Sequence, residues 1–158
     1  MSNPITPNDI ADRLQGLVET AFPGEEIYRD LVEEGFSRPS TLIVYEGGSA
    51  DPGYGSNIVE MQDRFTLTTF VKVDPYHNSH LAGLHIRQMK LVGLFVPGYI
   101  KVRDRAPKVV SIERGGGYDY DTVTVTLSYA LDRNDFLNIP QQPAMEQLHL
   151  NEEVKTYG

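Results

Sequence analysis

The chain contains no cysteine, which removes disulfides, thiolate metal sites and cysteine nucleophiles from consideration. No uninterrupted apolar run approaches the roughly 18–20 residues that a helical membrane span needs. The start, MSNPITPND, has neither a basic cluster nor an apolar stretch, so no signal peptide is expected. Positive charge is scarce as well. Lys and Arg number 14 against 22 Asp and Glu, a formal net charge of −8, which argues against a surface that grips nucleic-acid phosphates. Catalytic signatures are missing too. The stretch Gly47–Asn57 (GGSADPGYGSN) lacks the P-loop pattern and any lysine to reach a phosphate, and no GxSxG elbow accompanies a serine.

What is present fits one domain with a real core: 158 residues, 40% hydrophobic and 23% charged. The reading is of a soluble protein made inside the cell. The clearest local signal is Asp121–Leu131 (DTVTVTLSYAL), where Val123, Val125, Leu127, Tyr129 and Leu131 alternate with Thr and Ser. Period-two alternation of this kind predicts a half-buried strand. Lys108–Arg114 (KVVSIER) precedes it across Gly115, Gly116 and Gly117, so the pair predicts a long antiparallel hairpin.

Upstream, Thr6, Pro7 and Asp9 form a helix start with a capping box, and Ile10, Leu14, Leu17, Val18 and Ala21 fall on one stripe until Pro23 and Gly24 end it. Glu26–Asp30 is a short strand candidate. Thr41–Glu46 (TLIVYE) is apolar on both faces and predicts a central strand covered on both sides. Gly47–Asn57 is expected to be a loop. Met61–Val73 predicts a long strand with Phe65, Leu67, Thr69, Val71 and Val73 on one face. A second helix, capped by Asn78 or Ser79, is expected to run to about Phe95 with Leu81, Leu84, Leu91, Val92 and Phe95 buried. Tyr99–Asp104 adds a further strand candidate. The expected fold class is α+β: a mainly antiparallel sheet of four to five strands, two flanking helices and a terminal hairpin. Residues 1–136 form that domain, and 137–158 form an extended C-terminal arm that either wraps its own domain or docks on a neighbour.

Chemical constellations are weak. His77, His80 and His85 have spacing that does not converge on a metal, and the plain alternative is a solvated helix start. The pairs Glu25/Glu26, Glu33/Glu34, Asp119/Asp121 and Glu152/Glu153 sit on expected loops or strand ends, where exposed charge is the ordinary reading. No enzyme activity, cofactor or metal is expected. Charge is unevenly placed, however. Arg64, Lys72, Lys101, Arg103, Arg105, Lys108 and Arg114 cluster between the long strand and the hairpin, while Asp30, Glu33, Glu34, Glu146, Glu152 and Glu153 lie outside that block. Such asymmetry suits contact between the acidic loops of one copy and the basic strands of another, and equally suits a mixed solvated surface.

Several segments carry a resemblance. A capped helix ending in FPG leads into Ile27–Pro39 (IYRDLVEEGFSRP), then Arg64–Val73 (RFTLTTFVKV), then a helix and a hairpin ending in YALDRNDF. This order, over residues 5–136, resembles the small tail terminator proteins of phages and phage-like particles of Gram-positive hosts. The resemblance implies a homo-hexameric ring on the head-proximal end of the tail tube, assembled in the host cytoplasm and carried in the virion tail or neck. Its implied partners are the tube protein, a neck or head-completion protein and, in contractile particles, the sheath. DNA would pass through the ring without specific binding, helped by acidic repulsion, and no membrane is involved. The interface residues it suggests here are Glu33, Glu34, Gly35 and Phe36 on the acidic loop, with Arg64 and Lys72 on the basic strand. The alternative is another neck, joining or tube component of the same particle.

Overall fold

The computed structural model describes residues 4–53, 57–76 and 79–138. Helix α1 (Pro7–Ala21) begins as the sequence dictates. The Thr6 hydroxyl accepts from the Asp9 amide and Asp9 accepts from the Thr6 amide at 2.8 Å, a reciprocal cap in which each side chain satisfies an orphan donor. Ile10, Leu14 and Val18 are fully buried, each contributing about 1.5–3 kcal/mol of hydrophobic stabilisation.

The fold is α+β. Five strands form one mixed, mostly antiparallel sheet: β1 (Glu26–Arg29), β2 (Ser40–Asp51), β3 (Ile58–Phe70), β4 (Lys108–Gly116) and β5 (Asp121–Asp132), in the order β1-β2-β3-β5-β4. β1 runs parallel to β2, and every other pairing is antiparallel. Helix α2 (Leu81–Gly93) joins α1 on one face of the sheet, where Phe65, Leu67, Val123, Val125, Leu127, Leu91 and Phe95 close the core. A short 3-10 helix, Arg133–Asn138, follows β5. The expected arm beyond it lies outside the described residues.

Several expectations are corrected. Gly47–Asn57 is not a loop throughout, because β2 continues to Asp51. Tyr45 pairs with Phe65 and Gly48 with Asp63, so Glu46 and Gly47 bulge opposite Arg64. Gly47 takes φ +93°, which favours glycine, and a Cβ on Gly48 would stand 1.9 Å from the Gln62 carbonyl oxygen. The two glycines therefore serve the bulge rather than a turn. β3 is shifted toward its start, ending at Phe70. Val71, Lys72 and Val73 lie beyond it: the Val71 carbonyl accepts from Arg38 at 3.3 Å, and Val73 makes an isolated bridge with Ser79.

The second helix starts later than expected, after His80, with no side-chain cap. The Ser79 hydroxyl donates to Asp119 instead, and Leu81 faces outward at 48% exposure. Tyr99–Asp104 forms no strand, only isolated bridges of Tyr99 to Lys108 and Val102 to Arg105, which turn the chain so that Ile100 and Val102 plug the core. β2 is not covered on both sides either. Ile43 faces the helices, whereas Leu42 and Val44 face a helix-free side of the sheet and are half-buried.

Candidate interaction surfaces

The helix-free face is set by strand phase. Thr66, Thr68, Thr122, Thr124, Thr126 and Ser128 point there, out of register with the buried Val and Leu positions. The Thr66 and Thr124 hydroxyls lie 3.1 Å apart across the strands. Arg64 shares this face, 3.6 Å from Glu113 of the same chain. With both partners more than half exposed, this pair contributes little to stability.

The acidic loop reaches the same face for a topological reason. Parallel strands cannot be joined by a tight turn, so residues 30–39 must cross over from the end of β1 to the start of β2. Because β1 has only four residues, this short crossover suffices. It runs over the helix-free face and is held by aromatic contact. The Phe36 ring lies 4.6 Å from the Phe70 ring and 6.1 Å, edge-on, from Tyr28. The Ser37 amide donates to the Tyr28 hydroxyl at 2.9 Å.

Arg38 completes the clasp. Its guanidinium sits 4.9 Å from the Phe36 centroid and 5.2 Å from that of Phe70. It also donates two bonds, of 2.9 and 2.6 Å, to the Asp119 carboxylate in the β4–β5 turn. These bonds and that of Ser79 hold the Asp119 carboxyl below the usual carboxylate range, outweighing partial burial. The loop is thereby pinned to the far end of the terminal hairpin, while Glu33, Glu34 and Gly35 stay exposed at its tip. Among the described residues neither glutamate has a cationic partner.

The six residues expected at interfaces therefore do not form one patch. Glu33, Glu34 and Gly35 stand together at the loop tip. Phe36 is half-buried, its ring packed against Phe70 and Tyr28. Lys72 is exposed but belongs to the segment after β3, not to a strand. Arg64 stands about 20 Å along β3 from Phe70, by the strand rise.

Other polar groups escaped the sequence reading. Asp121 is buried rather than the exposed charge expected of it, and its carboxylate lies 2.8 Å from Nδ1 of His85, which is exposed on the first turns of α2. Gln88, also buried, donates to the Gly115 and Thr122 carbonyls and ties α2 to the hairpin. Arg87 makes a two-pronged pair with Glu25 and lies over the Phe22 ring at 4.0 Å. Asp63, 2% exposed, accepts from the Tyr129 hydroxyl at 2.6 Å and from that of Tyr45 at 3.3 Å. Burial raises its carboxyl above the ordinary value despite those two donors, and burial followed by the Asp63 bond raises the Tyr129 phenol. Strand phase held a signal for two of these, because Asp63 and Asp121 fall in step with the apolar positions of β3 and β5.

A groove of about 530 Å³ lies where α2 meets the β4–β5 turn, lined by Leu81, His85, Gln88, Arg114, Tyr118 and Asp121 among others. Among the described residues no group of three or more His, Asp or Glu converges as metal ligands, and no helix is long and apolar enough to cross a membrane. The sequence matches no protein family model and no curated protein.

Proposed function

We propose that this protein is a structural component of a phage or phage-like tail. In this reading six copies form a ring that caps the head-proximal end of the tail tube, stops its polymerisation and offers the docking surface for the head or neck. The observation that carries the reading is the crossover loop. Its tip carboxylates Glu33 and Glu34 have no partner among the described residues, yet the loop behind them is fixed by Phe36 and by the Arg38–Asp119 clasp. A contact that is ordered before binding loses little entropy on assembly. An exposed carboxylate pair on such a support is suited to a basic surface of a neighbouring copy or of the tube.

The resemblance of Ile27–Pro39 and Arg64–Val73 to tail terminators selects this class among ring-forming proteins. Net charge supports it as well. At −8, a ring of such subunits repels DNA phosphates and lets a genome pass without sticking. The role requires no catalysis, cofactor or membrane, and its place is the tail or neck of a particle assembled in the host cytoplasm.

The test is tail length by negative-stain electron microscopy, in particles made with and without the gene. Overlong tubes of variable length, lacking heads, are expected when it is absent. Tails of normal length without heads would move the assignment to a neck or joining protein, and absence of tubes would move it to the tube itself.

A further inference from the structure

The two edges of the sheet carry opposite charge on its helix-free side. Beyond β1 the crossover tip presents Glu33 and Glu34 beside Leu31, which is 66% exposed. The other edge belongs to β4. There the segment after α2 folds back along the start of the strand: the Val109 amide donates to the Gly98 carbonyl, and Tyr99 forms a bridge with Lys108. Lys108 lies opposite Ser128, so its side chain and that of Tyr99 stand on the helix-free side. Ile100 and Val102 point into the core, which turns Lys101 the same way as Tyr99. Val110, bulged out of the β4–β5 pairing, adjoins them. The result is a patch of two exposed lysines with Tyr99 and Val110, 53% and 50% exposed. Among the described residues neither lysine has a carboxylate at ion-pair distance.

Tip and patch match in kind, since each sets a pair of like charges beside exposed apolar surface and the two pairs are opposite in sign. They stand too far apart to meet within one chain. Four inter-strand spacings separate β1 from β4, about 19 Å. Along the strands, Lys108 is level with Gln62 through Ser128, eight residues from the Phe70 that anchors the loop, or about 27 Å. Other exposed cations suit the tip less. Arg114 lies opposite the core residue Val123 and Lys90 is on α2, so both stand on the helix side. Lys72 follows Phe70 at the tip's own end of the sheet. Copies set edge to edge and facing one way bring one helix-free side to the next.

We propose that the crossover tip of one copy docks on the β4 edge of the next, with Leu31 against Tyr99 and Val110, and Glu33 and Glu34 against Lys101 and Lys108. The two halves of this contact are different surfaces of each copy. It is therefore head-to-tail, and it repeats from copy to copy into a closed ring or an open filament rather than stopping at a two-fold dimer. The difference in level staggers neighbouring sheets, as tilted strands require for closure. This docking rests on the ring-forming role proposed for the loop tip, and not on the presence of a tube.

The absence of cysteine makes the test direct. Full-length chains carrying both Leu31→Cys and Val110→Cys are oxidised mildly and run on a non-reducing gel. A head-to-tail contact links each copy to two others, so a ladder extending beyond the dimer is expected. It should form about tenfold faster than in a control carrying Leu31→Cys and Glu19→Cys, where Glu19 is exposed on α1. Adding Lys101→Glu with Lys108→Glu is expected to slow the ladder severalfold. Adding Glu33→Lys with Glu34→Lys to that same chain is expected to restore it, which a misfolded chain could not do. Lys90→Glu with Arg114→Glu should leave the rate unchanged. A rate equal to the control, a product confined to the dimer, or a reciprocal swap that fails to restore the ladder would overturn the proposal. So would slowing by the Lys90 and Arg114 changes in place of the Lys101 and Lys108 changes. Overlong tubes without the gene but no ladder would keep the tail role and assign the tip to the tube, overturning this docking alone. A ladder alongside normal tails without the gene would keep the docking and remove the terminator role.

Discussion

At the loop end of the sheet Asp119 faces a guanidinium, whereas at the β2 bulge Asp63 faces two phenols. Both carboxylates hold distant pieces of chain together, yet their chemistry diverges. Asp119 is half exposed and accepts from Arg38, an arrangement that favours the ionised form. Asp63 is sealed beneath β2, and its neutral donors do not offset the loss of water, so the ionised form is disfavoured. The loop end is a clasp built of charge at the surface. The bulge is a polar joint built inside the core, where strand register is fixed.

The sharpest break of this comparison is at the bulge. Gly48→Ala would drive a Cβ into the Gln62 backbone carbonyl and against the Asp63 carboxylate. Neither neighbour is the free end of a flexible chain, so a loss of about 3 kcal/mol is expected, measured by denaturant unfolding. A change below about 0.5 kcal/mol, within the ordinary surface range, would mean that the bulge relaxes freely and does not set register. Tyr129→Phe comes next. It removes the 2.6 Å donor and leaves a buried carboxylate on one longer bond, at an expected cost of about 2 kcal/mol. Tyr45→Phe, on the 3.3 Å bond of a 41% exposed ring, should cost clearly less. Equal losses would show that the two phenols share the joint evenly.

The clasp should break more gently. Arg38→Ala removes a two-pronged pair that water partly screens and the stacking over Phe36 and Phe70, for an expected loss of about 1 kcal/mol. The loop should loosen more than the fold, with faster hydrogen exchange at the Ser37 amide than global unfolding allows. Unchanged exchange there would mean that Phe36 alone holds the loop.

Acid titration separates the two carboxylates by sign. Asp119 has a depressed folded value, so its contribution is present above the ordinary carboxylate range and is lost as pH falls through that folded value. Asp63 has a raised one, so the folded state holds a proton more tightly than the unfolded chain does. Its contribution is greatest in acid and declines as pH climbs from the ordinary carboxylate value through the raised one. Stability of the parent minus that of Asp119→Asn should therefore rise with pH through the acid range. The same difference for Asp63→Asn should fall just above it. Slopes of the same sign would refute the contrast.

Much of this frame was legible in sequence because periodicity reports which face is buried. The alternation in β5 fixed a strand and its core side, and Thr6, Pro7 and Asp9 fixed the start of α1. Where a local rule misled, tertiary context had overruled it. Gly47 and Gly48 read as loop residues, but β3 offered a partner strand and the glycines fitted a bulge. The packing of Phe36 on Phe70 was not legible, because nothing local shows that a parallel β1–β2 pairing sends its loop back over Phe70. Arg38 and Asp119, like Glu25 and Arg87, are far apart in the chain, and charge alone does not reveal such partners. Asp63 and Asp121 were the avoidable omissions, since a carboxylate in phase with a buried apolar series calls for a partner.

The smallest expected change in stability carries the largest consequence for function. Glu33→Lys with Glu34→Lys alters two exposed side chains that, among the described residues, have no ion-pair partner. Unfolding should shift by no more than about 0.5 kcal/mol. Ring formation or tail completion should nonetheless fail, because reversed charge at a preorganised contact meets like charge on its partner. Arg38→Ala then supplies the graded case, with the same carboxylates on a loosened support, and should weaken assembly without abolishing it. If the reversed chain completes tails normally, the loop tip is not the contact. If Arg38→Ala alone abolishes assembly, the contact lies in the clasp and the Asp119 turn rather than in the exposed glutamates.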